Sequence, residues 1–400
     1  MSRLIGTSVF GLRGPIVNKG DDIATIAFNV LKDNIDHNSF LVHDRDVFAI
    51  TESVVARSQG NYCSVDDIKE DLMKKFKGKV HNLGLVFPIL SRNRFSMMLK
   101  GFAKAAEKVT IQFSYPSDEV GNHLISPEIM DNANIDPYKN VFNEQQWVSK
   151  FGRPKHTFTD VDYVSYYREL VEAEGAKFEA IFANDPREIL KHTQTVIACD
   201  IHTRFRTKDK LLKAKAEQVY LLSDIMNESI NGSGYNEKYG LLGSNKATEQ
   251  LLKLFPHDCR NMVVKVQELV KKYTGKTIEV MVYGDGAFKD PVGKIWELAD
   301  PVVSPSYTPG LEGQPNELKL KYLADHEYGN LSAEQKKEAI IKAIETKDAN
   351  LKGQMKTEGT TPRALTDLLG SLCDLTSGSG DKGTPFIYIK GYFDNYATEK

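Results

Sequence analysis

The apolar positions of this 400-residue chain change period several times, and each change marks an element. Residues 3–19 read as an extended segment ending in the turn Asn18-Lys19-Gly20. Behind Asp21 and Asp22, which offer N-cap oxygens, Ile23 to Leu31 repeats apolar residues at helical spacing. Val47 to Val55 (VFAITESVV) alternates and is rich in β-branched residues, which predicts a strand closing a β-helix-β unit before Gly60. Asp66-Asp67 caps a helix through Phe76, and Leu83 to Leu90 reads as a short buried strand interrupted by Pro88. A basic helix and a strand follow between 91 and 113, then a loop over 115–124. Residues 127–154 mix Asn, Asp, Pro and aromatic residues without period, the mark of a long irregular connection or an inserted subdomain. Helices are predicted over Asp162–Glu174 and Lys208–Asn227, with the buried strand VIACDI between them. Gly232, Gly234, Gly240 and Gly243 mark a polar loop. Helices over Lys246–Phe255 and Asn261–Tyr273 then precede the strand KTIEVMVY, 276–283, which runs into Gly284-Asp285-Gly286. A Pro-rich stretch at 301–315, a charged helix at 332–347 and a helix at 362–375 lead to GSGDKGTPFIYIKG, 378–391, where a glycine-rich acidic turn feeds an alternating strand.

The fold expected for this mixture of helices and strands is α+β, with mixed sheets and packed helices. Composition narrows the function. With 41% hydrophobic and 26% charged residues and a formal charge of -2, the chain reads as globular and offers no broad surface for nucleic acid or a polybasic membrane anchor. No stretch reaches the roughly 18 apolar residues of a membrane span, and none resembles a signal peptide, so a cytoplasmic protein is expected. Cys63, Cys199, Cys259 and Cys373 stand singly, which points to reduced, buried thiols and against a zinc ribbon or redox dithiol.

Asp285, flanked by glycines at a strand end, is placed where a magnesium or manganese ligand projects; the same residues also suit an ordinary turn. Asp21 and Asp22 read as a helix start more simply than as a phosphate site. GLLGSNKAT at 240–248 lacks the spacing of a phosphate-binding P-loop. The loop at 377–384 also lacks the Lys-Ser/Thr pair, which leaves backbone amides as its means of holding phosphate. Arg92, Arg94 and Lys100, and His202, Arg204 and Arg206, are basic clusters able to receive an acidic substrate or simply to face solvent. Tyr163, Tyr166 and Tyr167 suit a packed helix face.

Taken together, three blocks resemble the γ-glutamyl ligase family of the deazaflavin coenzyme F-420, whose members attach glutamate to the coenzyme precursor using GTP. In the first block, Pro15-Ile16-Val17, GDDI at 20–23 and TESVVARSQG at 51–60 are similar to the family's N-terminal pattern. Ser53 replaces a family lysine, Arg57 keeps the charge of a second, and Gln59 replaces an acid. In the second block, NGSGYNEKYG is similar to the family's N-A-G-x-D-E-S-N, which aligns Asn236 and Glu237 with an acidic pair. VMVYGDGAF, in the same block, aligns Asp285 with the metal-binding aspartate and puts Gly286 in place of a threonine. The third block, 360–391, aligns Asp367 with a helix aspartate, Ser379 with a metal-contacting glutamine and Ser377–Thr384 with a nucleotide loop.

The resemblance implies nucleotide contacts at Gly14, Pro15, Ile16, Val17, Glu52, Ser53 and Arg57, and at Ser377, Gly378, Ser379, Gly380, Asp381, Lys382, Gly383 and Thr384. It implies metal ligands at Asp285, Asn236, Glu237 and Ser379, with Arg57 and Asp285 carrying the catalysis. The implied cofactors are GTP or ATP with Mg2+ or Mn2+, and the implied partners are L-glutamate, a carboxylate-bearing acceptor and a second copy in a homodimer. The expected enzyme is an acid-amine ligase working through an acyl phosphate, with a catalytically inactive nucleotide-binding regulator or scaffold as the alternative. Its core is expected to be discontinuous, formed by residues 1–83 and 231–400, with 84–230 inserted as the substrate region.

Overall fold

The computed structural model describes residues 5–38, 40–286, 288–289, 296–297, 301–360, 363–377 and 380–398. Along the chain the strands are β1 (Ser8–Leu12), β2 (Val47–Thr51), β3 (Tyr62–Ser64), β4 (Val80–Val86), β5 (Ala106–Phe113), β6 (Phe142–Asn143), β7 (Lys177–Phe182) and β8 (Thr195–Ala198). They continue with β9 (Gln218–Leu221), β10 (Asn245–Lys246), β11 (Leu251–Lys253), β12 (Glu279–Tyr283), the short pair β13 (Phe288–Lys289) and β14 (Trp296–Glu297), β15 (Ser306–Tyr307) and β16 (Phe386–Lys390). The fold is α+β, as expected.

One sheet gathers strands from nearly the whole chain, in the order β1-β16-β2-β12-β15. β2 and β12 run parallel, while β16 is antiparallel to both β1 and β2. Its central strands are apolar throughout because both faces are covered. Phe48, Ile50, Val280, Val282, Phe386 and Tyr388 pack with residues of helices Ile23–Asn38 and Cys259–Thr274. The alternate positions Val47, Ala49, Met281, Tyr283, Ile387 and Ile389 pack with Leu369 and Cys373 of helix Leu365–Ser377.

The second sheet is built entirely from residues 80–221, in the order β6-β7-β5-β4-β8-β9. All but the edge strand β6 are parallel to their neighbours. Chain order reverses at β4, so the connections leaving β4 and β8 run to opposite sides, and the loop after β4 stands at a topological switch point. Helices Phe95–Lys104 and Tyr163–Ala173 supply Phe95, Leu99, Tyr167 and Val171 to the larger core cluster, while Val196, Val219 and Leu211 form a cluster on the other side. A small sheet, β10-β11-β3, completes the packing.

Several elements differ from the sequence expectation. The strand over Val47–Val55 ends at Thr51, and Glu52–Gln59 is a helix closed by Gly60 at φ 64°. Burial of Val55 and Ala56 overrides the β preference of the valine pair. The long helix expected over Lys208–Asn227 stops at Lys213, where Lys215 takes φ 68°, and the chain becomes β9. Lys246–Phe255 is no helix but the hairpin β10-β11, with β11 paired to β3. The irregular stretch 127–154 holds two helices, Pro127–Asn132 and Glu144–Phe151, each capped by its own side chain, Ser126 and Asn143. All four cysteines are free and buried, and burial pushes the Cys259 thiol up to about 12. Among the described residues no helix is long and apolar enough to cross a membrane.

Candidate functional site

The topology brings four chain segments to one edge of the mixed sheet. β2 and β12 are parallel neighbours, so Thr51 and Tyr283 end side by side. β16 is antiparallel to β2, so the loop that feeds it arrives at the same edge, where Thr51 N–H donates to the Pro385 carbonyl at 3.0 Å. β1 is antiparallel to β16, so residues 13–17 leave from that edge as well, and Gly14 N–H donates to the Gly383 carbonyl at 3.1 Å. A Cβ on Gly14 would run into the Phe386 ring, which is why only glycine lets these two loops meet.

Above this edge opens a cavity of about 1100 Å3. Its mixed-sheet wall includes Gly14, Pro15, Ile16, Thr51, Glu52 and Ser53, then Tyr283 and Asp285, then Asp374, Ser377, Gly380, Gly383 and Thr384. Its other wall comes from the second sheet: Ile89 to Arg94 after β4, with Asn122, His156, Phe158, Thr159 and Tyr163.

Asp285 does not stand in open space. The Arg94 guanidinium, 8% exposed, donates to its carboxylate, which is 33% exposed, so a cation from the second sheet is joined to a strand end of the first. Gly286 follows at a point where helix Leu365–Ser377 passes closely: a Cβ there would stand 2.5 Å from Ser371 Cα. The threonine of the family pattern therefore has no room. Glu52 is also engaged, accepting from Lys253 Nζ at 2.6 and 2.7 Å in a pair that is almost wholly buried. Ser53 is exposed toward the cavity.

Other expected residues lie elsewhere. Arg57 is exposed on its helix and does not line the cavity, and Val17 is buried in the core beneath helix Ile23–Asn38. Asp381 and Lys382 are exposed on the loop but not part of the lining. Gly378 and Ser379 lie outside the described residues. Asn236 and Glu237 line a separate cavity of about 230 Å3. The Asn236 carboxamide donates to the carbonyls of Phe255 and Pro256 and accepts from the N–H groups of Lys238 and Tyr239, so its bonding capacity is spent on its own loop. Among the described residues no three His, Cys, Asp or Glu side chains come together as a metal cage. The donor set on the large cavity, Asp285 and Asp374, suits an ion held mainly by ligand phosphates rather than a resident one.

The second-sheet wall is held by buried polar groups. Asp118 accepts from the N–H groups of Leu90, Val120 and Asn122 and from the Asn122 carboxamide, and burial pushes its carboxyl up to about 6 despite these bonds. Asn122 in turn accepts at 3.2 Å from His156 Nε2, while His156 Nδ1 accepts from Thr159 N–H, an arrangement that assigns the proton to Nε2. Burial, then the charges of His123 and Arg92, lower the His156 pKa. Tyr167 packs inside its helix face as expected, but its hydroxyl also donates to the Ile89 carbonyl and accepts from Ser91 N–H, fixing the loop after β4. Of the basic clusters, only Arg92 and Arg94 reach the cavity. Lys100 turns to Glu249, and the N–H groups of Ile201, His202 and Thr203 donate to Glu119.

Sequence reasoning did not single out Thr51, Asp374 or Tyr283, and read Arg94 only as part of a basic cluster. The parallel pairing of β2 and β12 is what joins Thr51 and Tyr283, and no local motif announces it. Residues 11–391 match the family model described as F420-0:Gamma-glutamyl ligase. No curated protein matches the chain.

Proposed function

Because the chain belongs to the F420-0:gamma-glutamyl ligase family, we propose that the large cavity joins L-glutamate to a carboxylate acceptor at the expense of GTP or ATP. The observation that carries this reading is the convergence of Gly14–Ile16, Thr51, Ser53, Ser377, Gly380, Gly383 and Thr384 at one sheet edge, opposite Arg92 and Arg94. Glycine-rich backbone that a ligand can approach, short hydroxyls and arginine forks are the chemistry that holds a polyphosphate. At about 1100 Å3 the cavity lies at the upper end of ordinary ligand sites, with room for a second ligand beside the nucleotide.

The reaction transfers the terminal phosphoryl group to an acceptor carboxylate oxygen, releasing the nucleoside diphosphate. The glutamate amine then attacks the acyl carbon, the C–O bond to phosphate breaks, and the nitrogen loses its proton as the amide forms. Ser377, Gly380, Gly383 and Thr384 with Gly14–Ile16 orient the polyphosphate, and Arg94 keeps Asp285 from repelling it. The second-sheet wall faces the acceptor. Mg2+ or Mn2+ arriving with the nucleotide, facing Asp285 and Asp374, would offset charge on the phosphate oxygens. A homodimer is part of the same proposal.

The test incubates the protein with GTP or ATP, Mn2+ or Mg2+, L-glutamate and candidate acceptors, and follows phosphate release together with the mass of the acceptor. Gain of one glutamyl unit with stoichiometric phosphate release is the expected result. The engagement of Asp285 by Arg94 favours a second reading, a nucleotide-binding regulator without turnover; nucleotide bound, but with no phosphate released for any acceptor, would decide for it.

A further inference from the structure

Tyr283 ends β12 immediately before Gly284-Asp285 and is 2% exposed, yet it lines the large cavity. Among the described residues its hydroxyl has no hydrogen-bond partner. A buried hydroxyl left in this state is destabilising relative to a bonded one, so a native fold that keeps one in a cavity wall is keeping it for something else. The Thr51 and Ser377 hydroxyls stand beside it without meeting hydrogen-bond geometry. A phenolic hydroxyl is an O–H donor at physiological pH. Ser377 already donates its own hydroxyl to the Asp374 carbonyl at 3.1 Å.

We propose that the Tyr283 hydroxyl is a ligand-binding donor, and that with Thr51 and Arg94 it takes up a phosphoryl oxyanion at the junction of the two cavity walls. Three features select this chemistry. The donors are neutral hydroxyls close to an arginine, which suits an anion with several oxygens. The adjoining wall is the Gly380, Gly383–Thr384 loop, where backbone can approach a tetrahedral group closely. Of the carboxylates on the cavity, Glu52 is paired with Lys253 and Asp285 with Arg94, which leaves Asp374, so the local field does not exclude an anion. The inference rests on the nucleotide reading of this cavity and assigns it a residue outside the three resemblance motifs' expected contacts.

Tyr283→Phe removes only the hydroxyl, so the variant keeps its packing. The full chain and this variant are compared by thermal unfolding without ligand and by calorimetric titration with GTP, inorganic phosphate and L-glutamate. The expected result is an unchanged or raised Tm in the variant, about tenfold weaker binding of GTP and phosphate, and unchanged binding of glutamate. Wild-type binding of phosphate but not GTP, with phosphate weakened in the variant, supports the Tyr283 assignment and sinks the nucleotide reading. GTP and phosphate binding that is equal in both proteins overturns the assignment and leaves the nucleotide reading standing. A lower ligand-free Tm in the variant also overturns it, since the hydroxyl then serves the fold, and so does a loss confined to glutamate. Absence of any anion binding to the wild type sinks both.

Discussion

The two sheets that wall the cavity are assembled on opposite plans. The mixed sheet pairs β1 with β16 and β2 with β12, partners separated by more than half the chain, whereas the second sheet is complete within residues 80–221. The long-range sheet contributes loops whose value lies in their backbone: Gly14, Gly380 and Gly383, with the hydroxyls of Thr51 and Tyr283. The local sheet contributes side chains fixed by their own polar network, from Asp118 to Asn122 to His156, together with Arg92 and Arg94. Under the proposed function, one wall would meet what every nucleotide has in common, the other what distinguishes one acceptor from another.

The sharpest way to break this contrast is to end the chain at Ser377. Loss of β16 removes the strand between β1 and β2, so amide exchange measured by mass spectrometry is expected to show β2 and β12 unprotected while β4, β5 and β7 stay protected. Continued protection of β2 would show that the mixed sheet does not depend on its closing strand.

A smaller effect is expected from Asp118→Asn, which places an amide donor against groups that already donate. Destabilisation of about 2–3 kcal/mol, read by urea unfolding, is expected, with exchange rising in the loops after β4 and around 115–124. The pH dependence has a definite sign. Burial raises the Asp118 carboxyl from 3.8 to about 6, so the folded state holds this proton more tightly than the unfolded state. Its contribution is complete below about 3.8 and is lost as the pH rises through about 6. The wild type should accordingly lose part of its advantage over Asp118→Asn between pH 4 and 6.5, and a difference that grows with pH over that window would contradict the burial account.

The smallest effect concerns Gly286. Gly286→Thr restores the family residue, but its Cβ meets Ser371, so a cost of about 1–3 kcal/mol is expected without any gain in Mn2+ affinity. Tighter Mn2+ binding in a variant of unchanged Tm would show that helix Leu365–Ser377 can yield.

The sequence made the central strands β2, β12 and β16 of the mixed sheet legible, although it carried β2 on to Val55 where the strand ends at Thr51. It also placed Asp285, Gly14 and Gly383 at one site through their resemblance to family motifs. It could not show that Arg94 answers Asp285, because 191 positions separate them and only the fold joins them. Asn236 shows the opposite limit: its motif position suggested a ligand, while its surroundings use every hydrogen bond it can form. The hairpin at 245–253 was hidden because Lys246 to Phe255 has helical spacing, and only pairing with β3 and the attraction of Lys253 to Glu52 make it extended. Local pattern carries local structure, and these three cases are decided by distant partners.

The position of β16 has a consequence for the order in which the protein is made. On a ribosome, the second sheet has all of its strands once Leu221 has emerged, whereas the mixed sheet must wait for Lys390. The nascent chain therefore carries the strands of the side-chain wall over the 169 residues from Leu221 to Lys390 (390 − 221) before the mixed sheet can close opposite them, and the cavity comes into being in a single late event. A truncated product of translation would be a folded half with no pocket, unable to hold ligand in a partial site.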